Sequence, residues 1–254
     1  MTLAPRLKGS VRLIPLVKEL FILDKDGVMV RLGDCMNYAQ LDFLQEAERQ
    51  LRVNGSIRIC VLKARQIGIS TIIEAISFAL SMMFPNFKSK IVSHETNSAQ
   101  GILEMARRYW ETYIFAEYYD ERYNGQNHIS WSNKSDINIS TAKNTGAGRS
   151  STIRLLHASE VAFWPDPETL MTGLMQSIPP FGLNAIFLES TANGVGNYFH
   201  RECNSAMKGQ SEFVFKFYPW HKHPEYTAQY LPAEVRFKHV LTNLDEEETT
   251  LRMK

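Results

Sequence analysis

Nine consecutive residues, Lys63-Ala64-Arg65-Gln66-Ile67-Gly68-Ile69-Ser70-Thr71, bring two cations, a glycine and two hydroxyls together directly after a short apolar run. Between a buried strand and a helix, these residue types suit one chemistry. Backbone N–H groups and the helix N-terminus cradle phosphate oxygens, cations neutralise them, and a hydroxyl reaches a hard divalent metal. Against the pattern G-x-x-x-x-G-K-[ST], Gly68 and Ser70 fit, whereas Lys63 stands at the first glycine and Ile69 at the lysine. The cation need not come from one fixed backbone position, and Lys63 and Arg65 lie where they could turn back over phosphates. The plain alternative is a capped helix after a core strand, with both cations solvated.

Two further strand ends carry polar groups of the same chemistry. Ile153–Ala158 reads as a strand ending in Ser159-Glu160, and a carboxylate at a strand tip is where a base that polarises water is placed. Ala185–Leu188 runs into Glu189-Ser190-Thr191-Ala192-Asn193-Gly194, whose small hydroxyl and amide side chains suit sensing a terminal phosphate. Each signal is weak alone. Three strand ends, each carrying a group that nucleoside-triphosphate hydrolysis requires, are a far more specific pattern.

The elements that must position these groups alternate. Tyr38–Leu51 reads as a helix, Ile57–Leu62 as a buried strand rich in β-branched residues, and Ser70–Met83 as an apolar helix stopping before Pro85. Lys90–His94 is the next strand. Ile102, Met105, Ala106, Tyr109, Trp110 and Tyr113 then recur at the spacing of one helix face. In the second half, Glu168–Met175 and Tyr198–Met207 read as helices and Glu212–Tyr218 as an alternating strand. Such alternation predicts an α/β fold with a mainly parallel sheet covered by helices on both faces, and ligands bind at the carboxyl ends of such strands. Before it, Leu20–Leu23 and Val28–Leu32 flank Asp24-Lys25-Asp26-Gly27, a hairpin turn sequence, and predict a small N-terminal hairpin appendage.

Composition narrows the class. The chain's 254 residues are long enough for a substantial core. A net charge of +1 argues against a polybasic nucleic-acid binder, though not against a local basic patch. Three widely spaced cysteines, Cys35, Cys60 and Cys203, support neither a disulfide framework nor a zinc knuckle. No apolar run approaches a membrane span and no signal-peptide core is present, so a soluble protein of a reducing compartment is expected.

With these residues in place, the sequence resembles the ATPase domain of a tailed-phage terminase large subunit, a DNA-packaging motor. The resemblance rests on KARQIGIS at Lys63–Ser70, LLHASEVAFW at Leu155–Trp164, ESTANG at Glu189–Gly194, and a stretch around Phe217-Tyr218-Pro219-Trp220 and Pro224-Glu225-Tyr226. It covers roughly Asn37 to Tyr226. It implies a P-loop NTPase fold of ASCE type, with residues 1–36 as an appendage, 37–230 as the ATPase domain and 231–254 as the start of a linker toward a nuclease domain.

The resemblance also implies roles. Gln40 would read the adenine edge. Lys63 and Arg65 would contact phosphates as the Walker A cations, with Ala64, Gln66, Ile67, Gly68 and Ile69 shaping the loop and Thr71 beside it. Ser70 would ligate Mg²⁺, and Glu160 would be the catalytic carboxylate of the Walker B strand. Ser159 departs from the usual Asp-Glu pair. A serine supplies no full negative charge, so Mg²⁺ would be held there more weakly or through water. Ser190, Thr191 and Asn193 would couple hydrolysis to movement. Arg149, on a glycine-bearing loop with Gly146 and Gly148, is the candidate arginine offered to a neighbouring subunit; a solvated basic loop or a DNA-phosphate contact is its alternative.

The partners so implied are ATP, Mg²⁺, double-stranded DNA, a portal protein, a small terminase subunit and other copies of the chain in a ring, with no membrane, in the host cell cytoplasm. Two rivals differ in kind. A DExH-like helicase fragment is suggested by Ser190-Thr191-Ala192, and a non-catalytic nucleotide-binding scaffold by Ile69 and Ser159. His200, Cys203, His221 and His223 match no common metal spacing. Trp110, Trp131, Trp164 and Trp220 read as packing residues. Residues 241–254 resemble a beginning helix and suggest a truncated chain; no acidic nuclease cluster follows Tyr226, so DNA cleavage is not expected.

Overall fold

A computed structural model describes residues 11–144 and 152–223. The chain divides into two units, Met1–Tyr218 and Pro219–Lys254. Of the second, only residues 219–223 are described, and they hold the short 3-10 turn Trp220–Lys222. Arg149, Pro224-Glu225-Tyr226 and residues 231–254 therefore lie outside the described residues.

The first unit is built on one eight-stranded sheet. Its strands are β3 (Ser56–Lys63), β4 (Lys88–Ser93), β5 (Glu121–Gly125), β6 (His128–Trp131), β7 (Asp136–Thr141), β8 (Leu155–Ser159), β9 (Asn184–Ser190) and β10 (Val214–Tyr218). They are ordered β10-β3-β9-β8-β4-β7-β6-β5. The six from β10 to β7 are parallel, and β7-β6-β5 close the sheet antiparallel. One strand, β9, is inserted between the strand that feeds the phosphate loop and the strand that carries Glu160, the order an ASCE-type fold requires. A separate hairpin pairs β1 (Phe21–Leu23) with β2 (Met29–Arg31). Its turn is fixed by the Asp24 carboxylate, which accepts from the backbone N–H groups of Asp26 at 2.9 Å and Val28 at 2.8 Å.

The parallel strands are apolar on both faces because helices cover both. On one face, Ile57, Ile59, Val61, Ile91, Leu155, Ala185 and Phe187 pack with α3 (Tyr38–Asn54), α4 (Ile69–Met83) and α5 (Thr96–Glu111). Leu13 and Val17 of α1 (Leu13–Lys18), Leu20, and Leu32 at the start of α2 (Leu32–Cys35) belong to the same cluster. On the other face, Cys60, Val92, Leu156, Ala158, Ile186 and Leu188 pack with α6 (Pro167–Gln176) and α7 (Tyr198–Met207). Successive residues of a strand point to opposite faces. Residues 157 and 159 therefore share a face of β8, as do 187 and 189 of β9 and 61 and 63 of β3.

Local sequence explains the helix ends. Asn37 caps α3, and Gln40 completes a reciprocal capping box. Gly55 ends the helix in the left-handed conformation at φ 76°. Asp166 caps α6, with Pro167 in its first turn, and Asn197 caps α7. Helix α4 buries nearly all its circumference, Glu74 included, so its stability comes from packing between α3, α5 and the sheet rather than from an amphipathic stripe.

The antiparallel extension β5–β7 was not expected from the sequence. Glu121–Gly125 is an edge strand with almost no buried residue, and β7 alternates Ile137 and Ile139 with polar neighbours. Neither offers a continuous apolar run. Trp131, fully buried, locks β6 to Trp110 of α5 at 5.9 Å and to Phe78 of α4 at 5.7 Å, so these tryptophans pack the core as expected. Among the described residues, no helix is long and apolar enough to cross a membrane.

Candidate active site

After β3 the chain must turn back into α4 within five residues. Two left-handed residues accomplish this, Gln66 at φ 52° and Gly68 at φ 76°. Ile67 and Ile69, each 1% exposed, pin the loop into the core. Ile69, at the position a lysine usually takes, is therefore a packing residue, and Lys63 and Arg65 lie toward the loop's start. The backbone N–H of Ala64 is held by the Tyr218 carbonyl at 2.9 Å, and the Thr71 carbonyl accepts from the Tyr109 hydroxyl at 3.0 Å.

The loop is braced from α3. Asn37 Nδ2 donates to the Ile67 carbonyl and Gln40 Nε2 to the Gly68 carbonyl, both at 3.0 Å. Gln40 Oε1 accepts from the Asn37 N–H at 3.0 Å. Both ends of this buried amide are thus engaged by protein, and Gln40 braces the loop. A Cβ at position 68 would strike the Gln40 amide nitrogen. Gly68→Ala would strain the left-handed backbone and break this brace together. It is expected to lower the unfolding free energy by about 2 kcal/mol, readable by urea denaturation.

The loop forms one wall of a cleft of about 460 Å³. Exposed Arg65 and Gln66 line it with Lys63, Ser70, Ser159, Glu160 and Thr191, and His94, Ile102, Met105 and Phe163 complete the lining. The cleft opens at the carboxyl ends of β3, β4, β8 and β9, where the strand order reverses and α/β sheets bind ligands. The α4 N-terminus points its unpaired N–H groups at the same end.

At the floor of the cleft one ammonium sits between two carboxylates. Lys63 Nζ lies 3.2 Å from Glu160 Oε1 and 3.7 Å from Glu189 Oε2. The Lys63 side chain is 7% exposed, Glu160 22% and Glu189 0%. Burial works against the Lys63 charge, but Glu189 and Glu160 more than offset it and hold its pKa above the ordinary lysine value. Glu160 itself adopts the left-handed conformation, φ 54° and ψ 46°, a strained backbone for a residue with a Cβ. Its Oε2 accepts from the Ser190 hydroxyl at 3.3 Å and from the Thr191 N–H and hydroxyl at 3.2 Å each. Ser190 Oγ also accepts from the Ala162 N–H at 3.2 Å, and Asn193 Nδ2 donates to the Ala162 carbonyl at 3.0 Å. The structure therefore brings Ser190, Thr191 and Asn193 into direct contact with the Glu160 segment.

Beneath the floor runs a buried polar chain that the sequence reading did not single out. Ser70 Oγ donates to Glu189 Oε1 at 2.6 Å. The same oxygen meets His157 Nε2 at 2.8 Å, and His157 Nδ1 faces Glu74 Oε2 at 3.9 Å, too far for a hydrogen bond. His157, Glu189 and Glu74 are all fully buried. Burial disfavours a charged His157, but Glu189 and Glu74 override it and raise its pKa to about 9. Burial would raise the Glu189 carboxyl, yet Lys63, His157 and Ser70 bring it down to about 2. Glu74 is pushed up by burial despite His157. The available signal was an acid and a histidine inside apolar strands, residues that are almost never buried without partners.

The donors here are hydroxyl and carboxylate oxygens, the set a hard divalent cation takes. Glu189 Oε2 is buried with no hydrogen-bond partner among the described residues. Together with Ser70, it fits such an ion. Ser159 lies beside them at the cleft, 4% exposed, and its carbonyl is taken by Trp164 Nε1 at 2.9 Å. Among the described residues, no group of three or more His, Cys, Asp or Glu side chains forms a self-sufficient metal cage. Cys203 faces Cys60 at 3.5 Å, and His200 bonds Asn204 one turn further along its helix.

No family model matches the chain, and no curated protein matches it in sequence. Solved structures do. The ATPase domain of the Thermus phage P74-26 large terminase is 15% identical, with a TM-score of 0.59 over 86% of this chain and 92% of that one. The HK97 bacteriophage large terminase is 14% identical, with a TM-score of 0.66 over 94% of this chain and 50% of that one. A large terminase from a thermophilic bacteriophage, in complex with ADP, is 12% identical, with a TM-score of 0.56 over 80% of this chain and 49% of that one. The chain has the fold of large-terminase ATPase domains. It spans about half the length of the HK97 protein and of the ADP-bound terminase, and matches nearly all of the isolated P74-26 domain.

Proposed function

We propose that this chain is the ATPase domain of a viral terminase large subunit, hydrolysing ATP with Mg²⁺ to drive double-stranded DNA into a procapsid. The observation that carries the reading is the convergence, at the end of three adjacent strands, of Lys63 and Ser70, of Glu160, and of Ser190 and Thr191. A scaffold that only binds nucleotide has no use for a carboxylate held by a strained backbone and three donors at the cleft.

In this reading the loop N–H groups and the α4 N-terminus hold the phosphates. Lys63, between two acids, neutralises the terminal phosphate oxygens from below, and Arg65 reaches over from the rim. Glu160 Oε1 orients the attacking water and accepts its proton. Bound Mg²⁺, which Ser70 and the nearby carboxylate oxygens would hold, would supply further neutralisation of the phosphate charge. Loss of the terminal phosphate frees Lys63 to return to Glu160, and the Ser190, Thr191 and Asn193 contacts pass that change to the end of β9. Arg149 would act on the site of a neighbouring copy. The portal protein, the small terminase subunit and the host cytoplasm belong to the same proposal, and DNA cleavage is not expected of these residues.

The test is steady-state ATP hydrolysis with Mg²⁺ over a range of protein concentration. Turnover rising more than linearly with protein is expected of a ring ATPase with an arginine acting between subunits. Absence of nucleotide binding would sink the reading. Because Lys63 is the buried cation between the acids while Arg65 is exposed, Lys63→Ala is expected to reduce turnover on the order of 100-fold or more, and Arg65→Ala by about tenfold. Equal losses would show that the two cations share the role.

A further inference from the structure

The sequence places Ser159 where the site needs a carboxylate, and the sheet shows where the missing charge has gone. In the parallel pairing of β8 with β9, the residue in register with Ser159 is Glu189. The two side chains leave the same face of the sheet at adjacent positions, so a carboxylate on either strand reaches the same space. Glu189 occupies that space. Its Oε1 accepts the Ser70 hydroxyl at 2.6 Å, and its Oε2 lies toward Lys63, fully buried with no hydrogen-bond partner among the described residues.

We propose that Glu189 is this chain's metal-anchoring carboxylate, moved one strand across from the tip of β8, and that His157, beneath it, holds it in place. The inference rests on the function proposed above. It removes the difficulty that Ser159 posed, since full negative charge is present beside the loop hydroxyl after all. It also divides the labour of the two acids. Glu160, at the cleft and partly exposed, faces the water. Glu189, wholly enclosed, faces the loop hydroxyl. His157 is on the same strand face as Ser159, two residues earlier, and bonds Glu189 Oε1 at 2.8 Å. It is a positioning residue, since it lies below the carboxylate and away from the cleft.

The experiment measures ADP affinity of the full chain with and without Mg²⁺, and Mn²⁺ bound to the ADP complex by electron paramagnetic resonance. For Glu189→Gln, the metal-linked gain in ADP affinity is expected to fall on the order of 10- to 100-fold, with metal-free ADP binding unchanged and the bound Mn²⁺ signal lost. Adding Ser159→Asp to that variant is expected to restore the link, because the new carboxylate enters the same space from the neighbouring strand. Urea unfolding of Glu189→Gln beside the native chain guards against a folding failure of that variant; Ser159→Asp alone adds a second carboxylate to the space Glu189 already fills and is expected not to strengthen the metal link, changing it by less than about threefold.

An undiminished metal link in Glu189→Gln would overturn the proposal. So would an equal loss of metal-free binding with no rescue, or a large gain from Ser159→Asp alone, which would show that position 159 is the weak anchor. Failure of the native chain to bind ADP at all would remove the nucleotide reading itself, and this inference with it. A native chain that binds ADP tightly with Mg²⁺ while Glu189→Gln does the same removes only the inference.

Discussion

Glu160→Gln is expected to lower ATP turnover by about 10²- to 10⁴-fold while leaving ADP affinity nearly unchanged. The substitution keeps the shape and the acceptor oxygen, so Ser190 and Thr191 retain a partner and the strained turn after β8 survives. What disappears is the negative charge facing Lys63 and the capacity to take a proton from water. A loss of that size corresponds to about 3–5 kcal/mol of transition-state stabilisation, the magnitude of a general base working in a partly enclosed site. Steady-state hydrolysis and isothermal titration with ADP separate the two effects. If ADP binding falls in parallel with turnover, Glu160 is a structural brace for the loop through Lys63, and the water-orienting role must be given up.

The parts of this site that were legible in the sequence share a property: each lies at the end of an apolar run that reads as a strand. Lys63, Glu160 and Ser190 are such residues, and once the alternation of strands and helices is accepted, the fold puts them on one edge. Ile69 was legible as a departure from the phosphate-loop pattern, though only burial explained it as a core residue. Glu189 stood in plain view in the segment Glu189–Gly194, yet its role depends on the register between β8 and β9, two strands whose pairing a linear reading does not give. Glu74 and His157 also stood in view, but nothing linear paired them with Glu189. Each sits in an apolar element, and only the sheet face they share brings them together. Gln40 could be placed near the loop by resemblance, but not its bonds to Asn37 and Gly68, which join α3 to the loop across 28 residues. The β5–β7 extension escaped because an exposed edge needs no apolar run.

The largest stability effect is expected at His157, and the contrast with Glu74 decides what the buried chain is. His157→Ala removes the ring that bonds Glu189 Oε1 at 2.8 Å and leaves a cavity between two enclosed carboxyls. Breaking a buried charged pair in this way costs roughly 3–5 kcal/mol, a fall of about 10 °C or more in the midpoint for a domain of this size. Glu74 is the opposite case. Both its oxygens are buried without a hydrogen bond among the described residues, and burial pushes its pKa up. Lying 3.9 Å from the ring with no hydrogen bond, this carboxyl holds His157 less firmly than Glu189 does at 2.8 Å. Glu74→Met, of similar volume and apolar, is therefore expected to leave stability within about 1 kcal/mol or to raise it. Thermal and urea unfolding of the two variants side by side measures the difference. A penalty at Glu74 equal to that at His157 would mean that the ring is clamped by two charged acids, and that the proton resides on His157 because of both. A penalty at His157 alone would leave Glu189 as the single anion the ring serves. That outcome ties the buried chain to the cleft end of the sheet, since Glu189 is also the acid that Ser70 and Lys63 reach from the loop.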